Sequence, residues 1–256
     1  MCHSLQATTP VRKPLGRRLR TPVLFTQMNS SFPAQLGPAS WVALDATLGS
    51  WSFPAAIAEL SVPGLLVGQK RIMPGDEAAL LPDEAPAFSG SIETVRRASG
   101  AARLVARDLL SRLGYHNCAI KRGPSGAPDW PAGIAGSLAH DGDYAVAAIC
   151  RSGDFAGLGV DVEPAEPLPS ELIELVATPE ERVHFAEDEF AGRMLFVAKE
   201  AVYKAVYPID RMFLDHHDVK IDLKRRKAVV QNGRVAHLRF CVSTHIAALA
   251  LISKKN

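Results

Sequence analysis

The chain has 256 residues, 29 basic against 27 acidic side chains, a net charge of +2 and 47% hydrophobic residues. Those proportions support one large domain or two small ones with a buried core, and they exclude a disordered or collagen-like chain. The longest apolar runs, such as residues 246–252, are far too short to span a bilayer, and the cysteines (Cys2, Cys118, Cys150, Cys241) are scattered without a Cys-x-x-Cys pair, which excludes a disulfide scaffold or structural zinc site and fits a reducing cytoplasm.

Charge is unevenly placed. Residues 1–44 hold Arg12, Lys13, Arg17, Arg18 and Arg20 and no acid, so the 29 basic residues less these five leave 24 against 27 acids in the remainder. This stretch has no apolar run of the signal-peptide kind. It reads as a disordered tail over residues 1–35 with no part in the chemistry. An organelle leader, a nucleic-acid arm, or sequence upstream of a later start at Met28 are the other readings. The tail lacks interleaved aromatics, so no nucleic-acid partner is expected.

Beyond it, residues 40–48 alternate as a short strand, and Ser52-Phe53-Pro54 opens a short helical piece. Residues 60–68 are punctuated by proline and glycine. Residues 74–90, rich in proline, alanine and acid, read as surface loop. A strong helix is predicted over residues 92–113, with Leu104, Leu109 and Leu113 as its apolar stripe and Gly114 as its C-terminal stop. After a turn-rich loop (121–133), strands are predicted at 134–140 and 144–150, joined by Asp141-Gly142-Asp143, and a third at 155–162. Thr178-Pro179-Glu180-Glu181 is a helix start. A second long helix runs from Gly192 to Tyr207 and stops at Pro208. The segments 219–223, 227–230, 237–243 and 246–252 read as antiparallel strands. Helix followed by strands recurs in both halves, and Ser137–His140 is weakly echoed by Ser243–His245, which fits two related halves.

Asp161 and Glu163 lie two apart on a strand and so share a face, while Val160 and Val162 enter the core on the other. Paired carboxylates at a strand end form a hard oxygen site of the kind magnesium takes beside a phosphate; two solvated acids at an edge is the bland reading. Glu200 and Lys204 are i, i+4 on the second helix, with Lys199 adjacent. As a surface pair they would add only about 0.2–0.5 kcal/mol. Their neighbours from Leu195 to Val206 are nearly all apolar, however, and charges buried there need a metal, a phosphate or one another.

Gly159-Val160-Asp161-Val162-Glu163, followed by Phe196-Val197-Ala198-Lys199-Glu200-Ala201-Val202-Tyr203-Lys204-Ala205, resembles the paired signature of the Sfp-type phosphopantetheinyl transferases. Trp130-Pro131-Ala132-Gly133 with Gly136-Ser137-Leu138-Ala139-His140 resembles the family's WPxG and SxxH block. Arg103-Leu104-Val105-Ala106-Arg107, leading to Leu113-Gly114, resembles its arginine-bearing helix, especially in the EntD-like branch tied to siderophore and lipid assembly. The resemblance spans roughly residues 90–220, with the motifs in order.

It implies a magnesium-dependent enzyme that transfers the 4'-phosphopantetheine arm of coenzyme A to a serine of an apo acyl or peptidyl carrier protein, releasing 3',5'-ADP. Asp161, Glu163 and Glu200 would ligate magnesium, and Glu200 would act as the base or position a water that does. Lys204 and Lys199 would neutralise phosphate charge. Ser137 and His140 would grip the coenzyme A phosphates. Arg103, Arg122 and either Arg96 or Arg97 would complete a cationic cradle. The implied fold is α+β, two similar α+β subdomains with pseudo-two-fold symmetry, over residues 36–155 and 156–256, as a cytoplasmic monomer with no membrane partner. A non-catalytic scaffold that binds coenzyme A or carrier proteins is the alternative. Two departures stand out. Ala102 replaces a customary glycine, and Asp141 puts a negative charge directly after His140, where either change would weaken coenzyme A binding.

Overall fold

In a computed structural model of the chain, residues 52–186 and 188–254 are described; the expected tail, the strand at 40–48 and Met28 lie outside them. A short helix α1 (Phe53–Ile57), with Pro54 in its first turn, precedes strand β1 (Leu65–Arg71). Residues 60–68, punctuated by Pro63 and Gly64, thus hold the start of a strand that composition hides. The segment 74–90 forms two 3-10 turns, Asp76–Ala79 and Ala85–Phe88, and it is not the surface loop expected, because Asp76, Glu84 and Phe88 are buried. Glu84 explains this. Its carboxylate accepts from the N–H groups of Leu81 (2.8 Å) and Ile120 (2.7 Å) and from Arg107 (2.9 Å). A buried acid so fully bonded staples the segment to helix α2 (Glu93–Arg112).

Beyond the end of α2, Gly114 turns the chain with a φ of 86° that only glycine adopts without cost. A two-residue ladder, β2 (Lys121–Arg122) with β3 (Pro128–Asp129), leads to β4 (Ile134–His140), β5 (Tyr144–Arg151) and β6 (Gly157–Pro164). The β4–β5 turn is closed by Asp141, whose Oδ1 accepts from the N–H groups of Asp143 (2.5 Å) and Tyr144 (2.7 Å). Next come α3 (Ser170–Val176), a 3-10 stretch at Glu181–Ala186 where a helix start is expected, and α4 (Ala191–Asp210). Helix α4 runs three residues past the expected stop at Tyr207. Pro208 lies in the last turn, where its missing N–H forfeits a single bond, and Arg211 closes the helix in a left-handed conformation (φ 54°), donating to the Tyr207 carbonyl at 2.9 Å. Strands β7 (Val219–Asp222), β8 (Lys227–Val230), β9 (Val235–Val242) and β10 (His245–Ile252) complete the chain.

The fold is α+β. One antiparallel sheet has the order β1-β5-β4 and another β6-β10-β9-β8-β7. Helix α2 covers the first sheet through Val105, Leu109, Leu138 and Ile149. Helix α4 covers the second through Leu195, Val202, Val206, Ile221 and Phe240. A further core lies between the sheets, with Phe53, Leu65 and Val146 from one and Val160, Val162 and Leu249 from the other. The sheets therefore meet along β4 and β6. There the Val160 N–H donates to the Ser137 hydroxyl at 3.1 Å. No described helix is long and apolar enough to cross a membrane.

Candidate active site at the seam between the sheets

The alternation of β6 decides which residues meet α4. Val160 and Val162 enter the core between the sheets, so Gly157, Gly159, Asp161 and Glu163 face the helix. A Cβ on Gly159 would sit 2.0 Å from the Ala201 carbonyl oxygen, and one on Gly157 would sit 2.4 Å from that of Ala205. Glycine at both positions lets the helix lie directly on the strand, and this contact sets Glu200 and Lys204 opposite the carboxylates.

The Lys204 ammonium donates to Asp161 Oδ1 at 2.6 Å and to the Val160 carbonyl at 3.3 Å. Asp161 is fully buried. Burial drives its carboxyl well above the usual range, Glu200 and Glu163 reinforce that, and Lys204 opposes it. Its Oδ2 has no hydrogen-bond partner. Glu163 is raised too, chiefly by burial, with Arg193 opposing; the Arg193 guanidinium donates to its Oε2 at 2.9 Å. Glu200 Oε1 lies 3.3 Å from His216 Nε2, and the His216 ring stacks on Phe196 at 5.6 Å between centroids. Sequence reasoning missed Arg193, whose signal is its place two turns before Glu200 on the same helix face. His216, beside His217, suggests a metal pair in the sequence but reads there as structural or surface, because adjacent positions diverge.

His140 ends β4 beside this group. Burial, then Lys204, depress its imidazole to about 3, so it is neutral at pH 7, and Arg103 adds to that effect. Asp141 Oδ2, carrying the charge expected to disturb the phosphate site, lies 2.9 Å from His245 Nε2. Arg103 is fully buried: Nε donates to the Ile120 carbonyl at 2.8 Å, Nη1 to that of Ser99 at 3.2 Å, and Nη2 has no partner. Arg103 lies over the Phe88 ring at 4.7 Å, and the exposed Arg122 approaches the same ring at 5.8 Å. Arg97 is committed to Glu77 (3.2 Å) and Glu93, whereas Arg96 is half-buried and donates to the Ser91 carbonyl.

Lys199 departs from the expectation that it stands at a phosphate. Only 2% exposed, it spends its three donors on the Val176 carbonyl (2.8 Å), Glu181 Oε2 (2.7 Å) and the His216 carbonyl (2.9 Å). One residue from Glu200 on a helix is a 100° turn, which aims Lys199 away from β6 and toward α3. Its ammonium is a buried structural staple.

A cleft of about 290 Å³ opens at the seam, lined by Trp130, Ser137, Leu158, Lys204, Tyr207 and Arg211. A larger groove of about 550 Å³ lies at Thr178, Glu180, Lys220 and Arg225, apart from the Asp161 group. We place the chemistry beside the smaller one because Lys204, which lines it, is bound to the perturbed carboxylate of Asp161. Among the described residues no three His, Cys, Asp or Glu side chains alone are spaced to hold a metal ion. Magnesium, though, is usually held by one or two carboxylates, with water and substrate phosphate oxygens completing its shell. The bare Asp161 Oδ2 and the Glu163 carboxylate supply that donor set, so the residues fit such an ion.

Residues 83–150 match the 4'-phosphopantetheinyl transferase N-terminal domain, and residues 157–250 match the 4'-phosphopantetheinyl transferase superfamily. The chain is 36% identical over 155 residues to 4'-phosphopantetheinyl transferase Svp of Streptomyces mobaraensis, covering 58% of this chain and 63% of that protein. It is 36% identical over 155 residues to 4'-phosphopantetheinyl transferase Npt of Nocardia iowensis, covering 59% of this chain and 70% of that protein. Enterobactin synthase component D of Escherichia coli (strain K12) is 32% identical over 123 residues, 45% of this chain and 57% of that protein. The matches thus span roughly 57% to 70% of these relatives.

Proposed function

The chain belongs to the 4'-phosphopantetheinyl transferase superfamily, and from its site we propose that it transfers the 4'-phosphopantetheine arm of coenzyme A to a serine of an apo acyl or peptidyl carrier protein. The observation that carries this reading is the seam itself. Asp161, Glu163, Glu200 and Lys204 gather on one side of β6, with His140 close by.

In the proposed reaction the serine oxygen forms a bond to the pantetheine-side phosphorus of coenzyme A. The phosphoanhydride bond breaks, 3',5'-ADP leaves with the bridging oxygen, and the serine proton passes to Glu200 or to a water that Glu200 orients. Glu200 suits this part because, unlike the enclosed Asp161, it is only half-buried. Asp161 and Glu163 would hold magnesium, which would neutralise charge on the pyrophosphate. The Lys204 ammonium, fixed by Asp161, would meet the phosphate being attacked. Neutral His140 can donate one N–H to a phosphate oxygen without adding charge, and Ser137 lines the cleft with Lys204. The unpartnered Arg103 Nη2, with Arg122 and Arg96, would face the nucleotide end. A reaction between coenzyme A and carrier proteins fits a cytoplasmic enzyme.

Incubation of the protein with magnesium, coenzyme A and a panel of apo carrier proteins, followed by intact mass measurement, tests this. At least one carrier gains the phosphopantetheine mass; no gain on any carrier defeats the proposal.

A further inference from the structure

Two carboxylates of the seam are each held at one oxygen, Asp161 by Lys204 and Glu163 by Arg193, while Glu200 Oε1 lies 3.3 Å from His216 Nε2. We propose that Arg193 is a positioning residue that fixes the Glu163 carboxylate and the chain following β6 so that the second oxygen of Glu163 is presented to a divalent cation. This rests on the reading that Asp161 and Glu163 hold that ion.

The geometry is that of a fork. Arg193 Nη1 donates to Glu163 Oε2 at 2.9 Å, Nε to the Glu166 carbonyl at 3.1 Å and Nη2 to the Pro167 carbonyl at 3.3 Å. A single guanidinium in the first turn of α4 thereby ties down the last residues of β6 and the loop beyond Pro164. Glu163 needs such a tie. It sits where the strand runs out, and it is long enough to take several rotamers. The pair is also sheltered, with side-chain exposures of 12% for Arg193 and 17% for Glu163, so it is not a solvent-screened surface contact. Lysine cannot reproduce it, because an ammonium is a point donor without a planar fork.

Charge alone predicts the opposite effect. Asp161, Glu163 and Glu200 against Lys204 and Arg193 leave the five groups one negative charge in excess, and removing Arg193 leaves two. If Arg193 merely competes with the ion, its loss tightens cation binding. If it positions Glu163, its loss weakens binding despite the added negative charge. The sign of the change therefore separates the two.

Manganese binding to the full chain with coenzyme A present, followed by isothermal titration, tests the proposal with Arg193→Gln and Arg193→Lys, alongside metal-free melting curves. Both variants should bind manganese about 10–100-fold more weakly than the parent, the usual effect of losing a residue that orients a metal ligand. Arg193→Lys should melt close to the parent temperature, since it keeps the charge and most of the packing. Unchanged or tighter binding in Arg193→Gln overturns the proposal, as does full affinity in Arg193→Lys. A parent chain that binds no manganese defeats the metal-site reading itself and is recognised before any variant is compared.

Discussion

His140 shows how burial, rather than residue type, sets the state of this site. Its imidazole is depressed from 6.5 to about 3, by burial first and then by Lys204. Between those values the unfolded chain takes up a proton that the folded chain refuses, so His140 contributes stability that is complete above about pH 6.5 and is lost as the pH falls toward 3. Asp161 and Glu163 are shifted upward and so slope the other way, but they do so in parent and variant alike. The stability of the parent relative to His140→Asn, from urea unfolding, should therefore shrink between pH 7 and pH 5. Parallel pH profiles would mean that His140 is not a buried neutral imidazole. Glu84 illustrates what sequence could not show at this scale. An acid in a proline-rich stretch looks solvated, and nothing local reveals that its partners, Arg107 and the Ile120 amide, arrive from α2 and the segment after it. Lys199 misled for the converse reason. It adjoins Glu200 in the chain, yet the helical turn sends it to Glu181, which only the fold brings near.

At the scale of elements, the contact between β6 and α4 was the most legible part of the site. Alternation placed Asp161 and Glu163 on one face, and the i, i+4 spacing placed Glu200 and Lys204 on another. What sequence did not state was how closely the two faces approach, which depends on Gly157 and Gly159. Gly159→Ala forces a methyl against the backbone of Ala201 and Ala205, with contacts of 2.0 and 2.6 Å, so the helix must move. We expect a loss of about 1–3 kcal/mol in urea unfolding, as for other overpacked sites, together with a fall in transfer activity beyond what reduced folding explains. Gly153→Ala, where a Cβ meets nothing within 4 Å, serves as the control and should be neutral. Equal stability of the two variants would show that the strand–helix contact tolerates displacement. Strand β1 escaped notice because Pro63 and Gly64 stand immediately before it, and α4 outran its expected end because proline is tolerated in a last turn.

On the scale of the whole molecule, the two sheets join along β4 and β6, and the residues assigned to coenzyme A and to the reaction come from both sides of that join. His140 and Ser137 stand on β4, Asp161 and Glu163 on β6, Glu200 and Lys204 on α4. The α+β class and the recurrence of helix and strands were readable from the chain, since they depend on local periodicity. Spacing alone does not show the seam, because the meeting of β4 and β6 is packing between two sheets, as in the Val160–Ser137 bond, and leaves no local periodicity. A site divided in this way gives clear expectations for one substitution. Glu200→Gln keeps size and shape, so folding and coenzyme A binding should persist while proton removal from the carrier serine fails. Single-turnover transfer to a responsive apo carrier, measured for the parent and Glu200→Gln with coenzyme A affinity determined for both, is the direct test. Transfer slowed by about 100-fold or more with affinity retained is the predicted result; near-parental transfer by Glu200→Gln would contradict the placement of the chemistry at this seam.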